Sequence, residues 1–111
     1  MKKTLLIISL LILSVGFSQQ LTEVVETYNN GTVKEIKYHK KTRDGIELVK
    51  GETYYSSGQK ESEGTYKDGE KDGKWTQWYE NGQKKYEITY KDGNWISEKC
   101  WDWNGNEIEC W

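Results

Sequence analysis

Short alternations of apolar and polar residues, separated by glycine-containing turns, run along most of this sequence. In KKYEITY, Tyr86, Ile88 and Tyr90 alternate with charged or polar residues, and VKEIKYH alternates in the same way around Ile36 and Tyr38. A period of two is typical of half-buried β-strands. The glycines also interrupt every window long enough to nucleate a helix. The pattern therefore predicts an all-β fold.

Two kinds of glycine turn recur along the chain. The first reads YNNG, YSSG, YENG and DWNG, and its glycines are Gly31, Gly58, Gly82 and Gly105. The second lies between these and reads RDG or KDG, with Gly45, Gly69 and Gly93. Asn-Gly and Asp-Gly supply the positive-φ positions that tight hairpins require. Each repeat is thus predicted to be strand, turn, strand, turn, and the chain a continuous antiparallel meander of β-hairpins.

The N-terminus has the pattern of a secretory signal peptide. Lys2 and Lys3 precede an apolar run from Leu5 to Leu13, and small residues at positions 16 and 18 precede Gln19. The apolar run is too short for a transmembrane helix. We therefore expect residues 1–18 to be cleaved and to lie outside the fold, so that the protein is secreted or periplasmic. An uncleaved N-terminal anchor is the alternative.

The remaining chain, residues 19–111, has the length of one small domain. We divide it into a diverged N-terminal repeat or cap, residues 19–50, and clearer hairpin repeats, residues 51–111. Without the two leader lysines, 14 of the 16 basic residues remain against 18 acidic ones, a formal charge of −4. This balance argues against a nucleic-acid partner and against charge-driven adhesion to lipid. Aliphatic residues are few, whereas six Trp and eight Tyr predict an aromatic core.

Catalytic chemistry finds little support in the sequence. The only histidine, His39, is expected to be a solvated residue at a strand end. The carboxylates considered as acid/base pairs stand among lysines, as on a solvated sheet face: Glu61, Glu63, Glu80 and Glu87. HExxH, paired CxxC, EF-hand and phosphate-loop patterns do not occur. We expect no enzymatic activity, no metal and no cofactor.

Cys100 and Cys110 flank the Asn104-Gly105 turn, and we expect them to form a disulfide. The two cysteines face each other directly only across a three-residue loop, residues 104–106. A two-residue Asn-Gly turn misplaces them by one residue, an offset that a bulge can absorb.

The candidate binding residues are aromatic. By strand parity, Trp95, Trp101 and Trp103 share one face, and Trp75 and Tyr79 form a similar set one repeat earlier. These residues are either core or an exposed strip that grips a partner or stacks on sugar rings.

The phrase W-x-x-W-Y-x-N-G-Q-K-K-x-E-x-x-Y-K-D-G, from Trp75 to Gly93, resembles the MORN-repeat variant of bacterial proteins labelled YwqK-type toxin–antitoxin antitoxins. The linking tract from Gly69 to Trp75 is similar to that family's linker. The resemblance covers residues 51–106 strongly and residues 24–50 weakly. It implies an elongated, twisted sheet of β-hairpins with one aromatic-lined face, used in protein interaction and membrane-proximal scaffolding.

The functional hypothesis is a non-enzymatic exported repeat module that mediates protein–protein interaction at the bacterial cell envelope. Two alternatives are a carbohydrate-binding module that uses an exposed Trp strip and an antitoxin-like inhibitor of a partner protein.

Overall fold

The computed structural model describes the backbone of residues 5–14 and 17–110 and the side chains of residues 21–110. Within these residues, nine strands form one antiparallel sheet, and the strand order in space is the order in sequence. The strands are β1 (Leu5–Ser14), β2 (Phe17–Thr27), β3 (Val33–Thr42), β4 (Gly45–Tyr54), β5 (Lys60–Lys67), β6 (Glu70–Trp78), β7 (Lys84–Lys91), β8 (Asn94–Trp101) and β9 (Glu107–Ile108). The predicted all-β meander is confirmed.

The described part of the chain contains no helix long and apolar enough to cross a membrane. Its radius of gyration is 15.9 Å. A compact domain of this length has a radius of about 13 Å. The sheet is therefore an open single layer.

Part of the segment predicted to be a signal peptide pairs with the sheet in the uncleaved chain. Leu5–Ser14 forms β1 and pairs with β2, from Leu5 opposite Glu26 to Ser14 opposite Phe17. A short apolar run suits a buried strand as well as a signal sequence, so periodicity alone does not separate the two. Cleavage before Gln19 stays a prediction; it would remove β1 and leave β2 as an edge strand. Lys2, Lys3 and Gly16 lie outside the described residues.

The cross-strand pairs assign each side chain to one of two faces. We define the inner face by one row of opposed residues: Val25, Ile36, Glu52, Glu63, Thr76, Glu87 and Lys99. We define the outer face by the neighbouring row: Glu26, Glu35, Thr53, Ser62, Gln77, Tyr86, Cys100 and Ile108.

The prediction of an aromatic core is wrong. The buried side chains among the described residues are Val25, Thr27, Glu52 and Thr76, all on the inner face. Every described Tyr and Trp is half-buried or exposed. The reason is that a single-layer sheet has no second layer to close over large rings, which instead lie across neighbouring strands.

The two kinds of turn have different geometry. Asp68-Gly69 and Asp92-Gly93 form two-residue turns in which both residues have positive φ, 52° and 81° in the first and 50° and 82° in the second. This is the predicted tight hairpin.

The Asn-Gly turns are longer, because only their glycine has positive φ. In the third of them the Tyr79 N–H donates to the Gln83 carbonyl at 2.8 Å, and the Gly82 N–H donates to the Tyr79 carbonyl at 3.0 Å. Gly82 has a φ of 89°, whereas Asn81 does not adopt positive φ. The expectation of a positive-φ Asn-Gly pair is therefore wrong at these turns. The same hydrogen bonds recur at Gly31, Gly58 and Gly105.

An extra residue follows each of the first three of these turns. Lys34, Glu61 and Lys85 have no opposed partner, because the register shifts by one residue at each place. Such β-bulges increase the twist of a sheet, and each moves the following side chains to the other face. We therefore expect the regular bulges to increase the twist of this sheet.

Tyrosine hydroxyls connect successive repeats. Tyr28 donates to the Tyr54 carbonyl at 2.6 Å, and Tyr55 donates to the Trp78 carbonyl at 2.6 Å. Tyr79 donates to the Trp101 carbonyl at 2.9 Å. We call these three bonds the tyrosine ladder. The first residue of each YxxG turn is therefore tied to the residue just before the next such turn.

Candidate binding surface

A charged network occupies the centre of the inner face. Glu52 and Glu63 oppose each other directly, and the Lys60 ammonium donates to both carboxylates, at 2.8 and 2.7 Å. The Tyr38 hydroxyl donates to Glu52 at 2.6 Å. The lysine therefore offsets the repulsion that two opposed carboxylates would have.

The pKa shifts within this network favour the charged forms of Glu52 and Lys60. Burial alone would raise the pKa of Glu52, but hydrogen bonds from Lys60 and Tyr38 outweigh it and lower that pKa. Burial likewise works against the charge of Lys60, yet its bonds to Glu52 and Glu63 raise its pKa. Burial and the hydrogen bond to Glu52 raise the pKa of Tyr38. Each of these groups is hydrogen-bonded to another member of the network, as is typical of groups that stabilise a fold.

The other residues considered for catalysis are also placed by the sheet. Glu87 forms ion pairs with Lys84 and Lys74. His39 lies within β3, half-buried and opposite Thr22 and Leu48, whereas a solvated strand end was expected. The reason is that β3 continues to Thr42 beyond the apolar alternation that marked it.

Trp75 lies on the outer face, across the neighbouring strand. A Cβ atom at Gly64 would be 2.0 Å from its ring, so only glycine leaves room for the indole there. The Trp75 Nε1–H donates to the Thr65 carbonyl at 3.0 Å, and the Tyr66 ring meets the indole edge-on at 5.1 Å. These contacts hold the indole in one orientation.

Lys71 and Tyr90 extend this group. The Lys71 ammonium lies 4.6 Å from the Trp75 ring centre and 5.3 Å from the Tyr90 ring centre. Tyr90 opposes Trp95, because a bulge at Ile96 shifts the β7–β8 register. We call Lys71, Trp75, Tyr90 and Trp95 the aromatic cluster.

The bulge at Ile96 overturns the predicted parity of Trp95 and Trp101. Trp101 opposes Glu107 and shares the inner face with Lys99, whereas Trp95 shares the outer face with Tyr90. Counting alternate residues along β8 fails because it assumes that no extra residue interrupts the strand.

The remaining candidates form separate contacts. Tyr79 and Trp103 meet with ring centres 5.2 Å apart, and the Lys84 ammonium lies 5.5 Å from the Trp101 ring centre. Trp95 and Trp101 lie at opposite ends of β8, about 20 Å apart at 3.3 Å per residue. The five residues of the predicted strip therefore lie in three separate places. Trp75 and Trp95 belong to the aromatic cluster, Tyr79 contacts Trp103, and Trp101 lies beside Lys84.

Lys71 and Tyr90 were missed as candidate binding residues. Lys71 belongs to the tract Glu70-Lys71-Asp72-Gly73, which has no counterpart after Gly93. This break in the repeat is the signal that could have singled out Lys71.

The C-terminal hairpin, residues 94–110, carries most of the large exposed hydrophobic residues found among residues 21–110. Four of the five lie here: Trp95 at 57% exposure, Ile96 at 52%, Trp103 at 53% and Ile108 at 37%. Residues 94–99 of β8 are all exposed, and β9 pairs only with Cys100 and Trp101. We call residues 94–99 the open edge.

Cys100 and Cys110 form a disulfide, with Cα atoms 5.4 Å apart. Cys100 opposes Ile108, so the two cysteines are offset by two residues rather than directly opposed. The loop comprises residues 103–105, because the Asp102 N–H donates to the Asn106 carbonyl. Strand β9 ends at Ile108, which frees Cys110 to turn back toward Cys100.

Asp102 stands where the other repeats have the ladder tyrosine. Its Oδ1 accepts the N–H groups of Asn104 and Asn106, both at 2.9 Å. Hydrogen bonds from Asn106 and Asn104 lower the pKa of this carboxyl. The Asp102 side chain therefore closes its own turn.

Two segments of the chain, residues 49–68 and 71–92, match the family model described as the MORN repeat variant. These two segments are similar to MORN-variant repeats. No curated protein and no solved structure matches the chain.

The two matched segments contain the inner-face network and most of the aromatic cluster. Glu52, Lys60, Trp75 and Tyr90 all lie within the matched segments. The open edge and the disulfide lie after residue 92. The exposed apolar surface of the C-terminal hairpin is therefore outside the matched repeats.

Proposed function

We propose that this protein is a non-enzymatic repeat module of the bacterial cell envelope, and that a partner protein adds an extended segment to the open edge. The observation that carries this proposal is the row of six exposed residues in β8, residues 94–99, which no strand of the described chain covers. Strands whose outer edge is unpaired present N–H and C=O groups that can pair with another chain.

The direction of the backbone groups in β8 supports this mode of binding. The Asp102 N–H donates across the C-terminal hairpin, and alternate residues of an antiparallel strand point to the same side. Cys100 continues this alternation opposite Ile108. The Glu98 N–H therefore points to the open edge and is available to a partner strand.

The side chains of the open edge provide apolar contact area. Trp95 and Ile96 are each more than half exposed and lie next to each other in sequence. A patch of large apolar residues exposed together on a small protein often marks an interaction site. A partner strand along β8 would cover part of both.

Export to the envelope is supported by two features. The disulfide between Cys100 and Cys110 fits an oxidising compartment. The N-terminal lysines and apolar run have the pattern of a signal peptide. The disulfide also keeps β9 in place beside the open edge.

The test is affinity capture from envelope extracts with immobilised residues 19–111 and two variants at one position. Glu98→Pro removes the N–H that points to the open edge, while the bonds of β8 to β7 remain. Glu98→Ala removes the side chain and keeps the N–H. We expect Glu98→Ala to retain a captured protein and Glu98→Pro to lose it.

Equal capture by both variants would show that the partner does not pair with β8. Circular dichroism and an intact disulfide by mass spectrometry check that Glu98→Pro is folded. If the extract yields no protein that the native chain binds saturably, the proposed function is wrong.

A further inference from the structure

Three members of the aromatic cluster, Lys71, Trp75 and Tyr90, line a partly open cavity. The cavity has a volume of about 170 Å³. Its apolar lining is Trp75, Ile88 and Tyr90, and its polar lining includes Ser62, Lys71 and Gln77. Small-molecule sites in proteins have this character, with aromatic walls and a few convergent polar groups. The volume is below that of drug-sized sites, so the cavity suits a single small ring.

We propose that this cavity is a subsite for one neutral pyranose unit of a polysaccharide, with Trp95 stacking on the neighbouring unit. The apolar C–H groups of a pyranose face pack against an aromatic ring, whose face is negatively polarised. The Trp75 ring lies over Gly64 and is held in position by Thr65 and Tyr66, and a sugar stacks on it when the exposed Lys71 side chain moves aside. Such a fixed platform loses little conformational entropy when a ligand binds.

The polar groups at the cavity can bind hydroxyl groups. Gln77 accepts the Tyr86 hydroxyl through its carbonyl oxygen, which leaves its NH₂ group as a donor. Lys71 is exposed, and in the described chain it forms no ion pair, so its ammonium has donors to spare. Sugar hydroxyls can accept from both groups.

The charges around the cavity favour a neutral ligand. Lys71 supplies a positive charge on the β6 side, whereas Glu98 opposes Ile88 on the β8 side. An acidic sugar would meet Glu98, and an amino sugar with a free ammonium would meet Lys71. A neutral ring avoids repulsion from either group.

The spacing of the rings suits a chain of linked sugars. Trp75 lies on β6, Tyr90 on β7 and Trp95 on β8, all on the outer face. The Trp75 indole lies over Gly64 of β5, on the side of the cavity away from β8. Tyr90 lines the other side of the cavity, and Trp95 lies one strand spacing beyond it, about 4.8 Å. This distance is comparable to the length of one sugar unit.

The experiment is a tryptophan-fluorescence titration of residues 19–111, confirmed by calorimetry. The neutral probes are cellohexaose and chitohexaose, and the charged probes are hexagalacturonate and the fully deacetylated chitosan hexamer. We expect at least one neutral probe to bind saturably and more tightly than both charged probes. Failure of both neutral probes to saturate, or tighter binding of a charged probe, would overturn the proposal.

Three variants test the position of the site. Trp95→Ala should weaken binding of the neutral probe about tenfold, because it removes one stacking ring. Lys71→Met, which keeps an apolar stem, should weaken it several-fold. Trp103→Ala is the matched control, since Trp103 is similarly exposed but lies in the turn of the C-terminal hairpin, where its ring contacts Tyr79.

Equal losses in Trp95→Ala and Trp103→Ala would exclude this site. The titration uses purified oligosaccharides, whereas strand addition is tested by protein capture from envelope extracts. Sugar binding and strand addition are thus measured independently, and either can fail alone.

Discussion

The strands in the middle of the sheet and those of its C-terminal hairpin are held in place by different interactions. Strands β4 to β7 have a neighbour on both sides, tyrosine ladder bonds to the repeats before and after, and a charged network on the inner face. The hairpin formed by β8 and β9 has a partner on one side for most of its length. It has a disulfide and a self-closed turn at Asp102 in place of the ladder.

This difference shows what a single-layer repeat protein needs. Each repeat buries little apolar surface alone, so its stability comes from its neighbours. In the described chain, the hairpin of β8 and β9 has no neighbouring strand along residues 94–99, and it carries a disulfide. Trp95 and Ile96 are exposed at this same edge, which therefore offers free surface to a partner.

The largest expected effect is in the middle of the sheet, at Gly64. Gly64→Ala places a Cβ atom 2.0 Å from the Trp75 ring, so the indole must leave its position. We expect the free energy of unfolding to fall by about 3 kcal/mol. Urea denaturation followed by tryptophan fluorescence measures this change.

Gly51→Ala is the matched control for Gly64→Ala. Gly51 opposes Gly64 directly, but a Cβ atom there would be 3.5 Å from Tyr66, an ordinary contact. We expect a change of less than about 1 kcal/mol, of either sign. Similar losses in both variants would show that the Trp75 contact does not matter.

The second effect is confined to the C-terminal hairpin. The double variant Cys100→Ser with Cys110→Ser removes a link worth about 2–3 kcal/mol for so short a loop. Hydrogen exchange at the Gly105 N–H should accelerate about 30- to 150-fold. Exchange at the Gly82 N–H, which has the same hydrogen bond in the middle of the sheet, should stay nearly constant. Equal acceleration at both sites would mean that the two regions unfold as one unit.

Much of the fold follows from the sequence, because turn residues and alternation are local signals. The YENG and KDG turns and the alternation of Tyr86, Ile88 and Tyr90 suffice to predict an antiparallel meander, and the structure confirms it. The cysteine pair is also found in this way, although its register is not. Register depends on bulges, and no single residue type marks Lys34, Glu61, Lys85 or Ile96 as an extra residue.

The candidate site was predictable only in part for the same reason. The sequence selects Trp75 and Trp95 as aromatic candidates, but their neighbour Tyr90 and the cation Lys71 join them only through the bulged register. The charged network is likewise hidden in the sequence. Glu52 reads as a surface residue by type, yet it is 5% exposed because Tyr38 and Lys60 satisfy its carboxylate.

The third effect concerns the charge of Glu52. Glu52→Gln keeps an oxygen that can accept from Tyr38 and removes the charge that pairs with Lys60. We expect a loss of about 1–2 kcal/mol at pH 7. Because the folded-state pKa of Glu52 lies below its usual value of 4.5, this stabilisation is complete above that value. It is lost as the pH falls through the folded-state pKa.

Urea midpoints of Glu52→Gln and the native chain should therefore converge toward pH 3. Glu80→Gln, at the tip of the YENG turn, serves as the control and should follow the native chain at every pH. A constant difference between Glu52→Gln and the native chain from pH 7 to pH 3 would exclude ionisation of Glu52 as the cause.

The smallest expected effect is the loss of a single hydroxyl hydrogen bond of the tyrosine ladder, which we compare at Tyr79 and Tyr55. Tyr79→Phe and Tyr55→Phe each remove one hydroxyl bond to a carbonyl, to Trp101 and Trp78 respectively, worth about 1 kcal/mol. The Tyr79 bond crosses to the C-terminal hairpin, whereas the Tyr55 bond lies within the middle of the sheet. In Tyr79→Phe we expect faster hydrogen exchange at the Asp102 and Gly105 N–H groups and little change in the urea midpoint. In Tyr55→Phe we expect a lower midpoint, because the middle repeats unfold together; a reversed result would place the boundary between the two regions elsewhere.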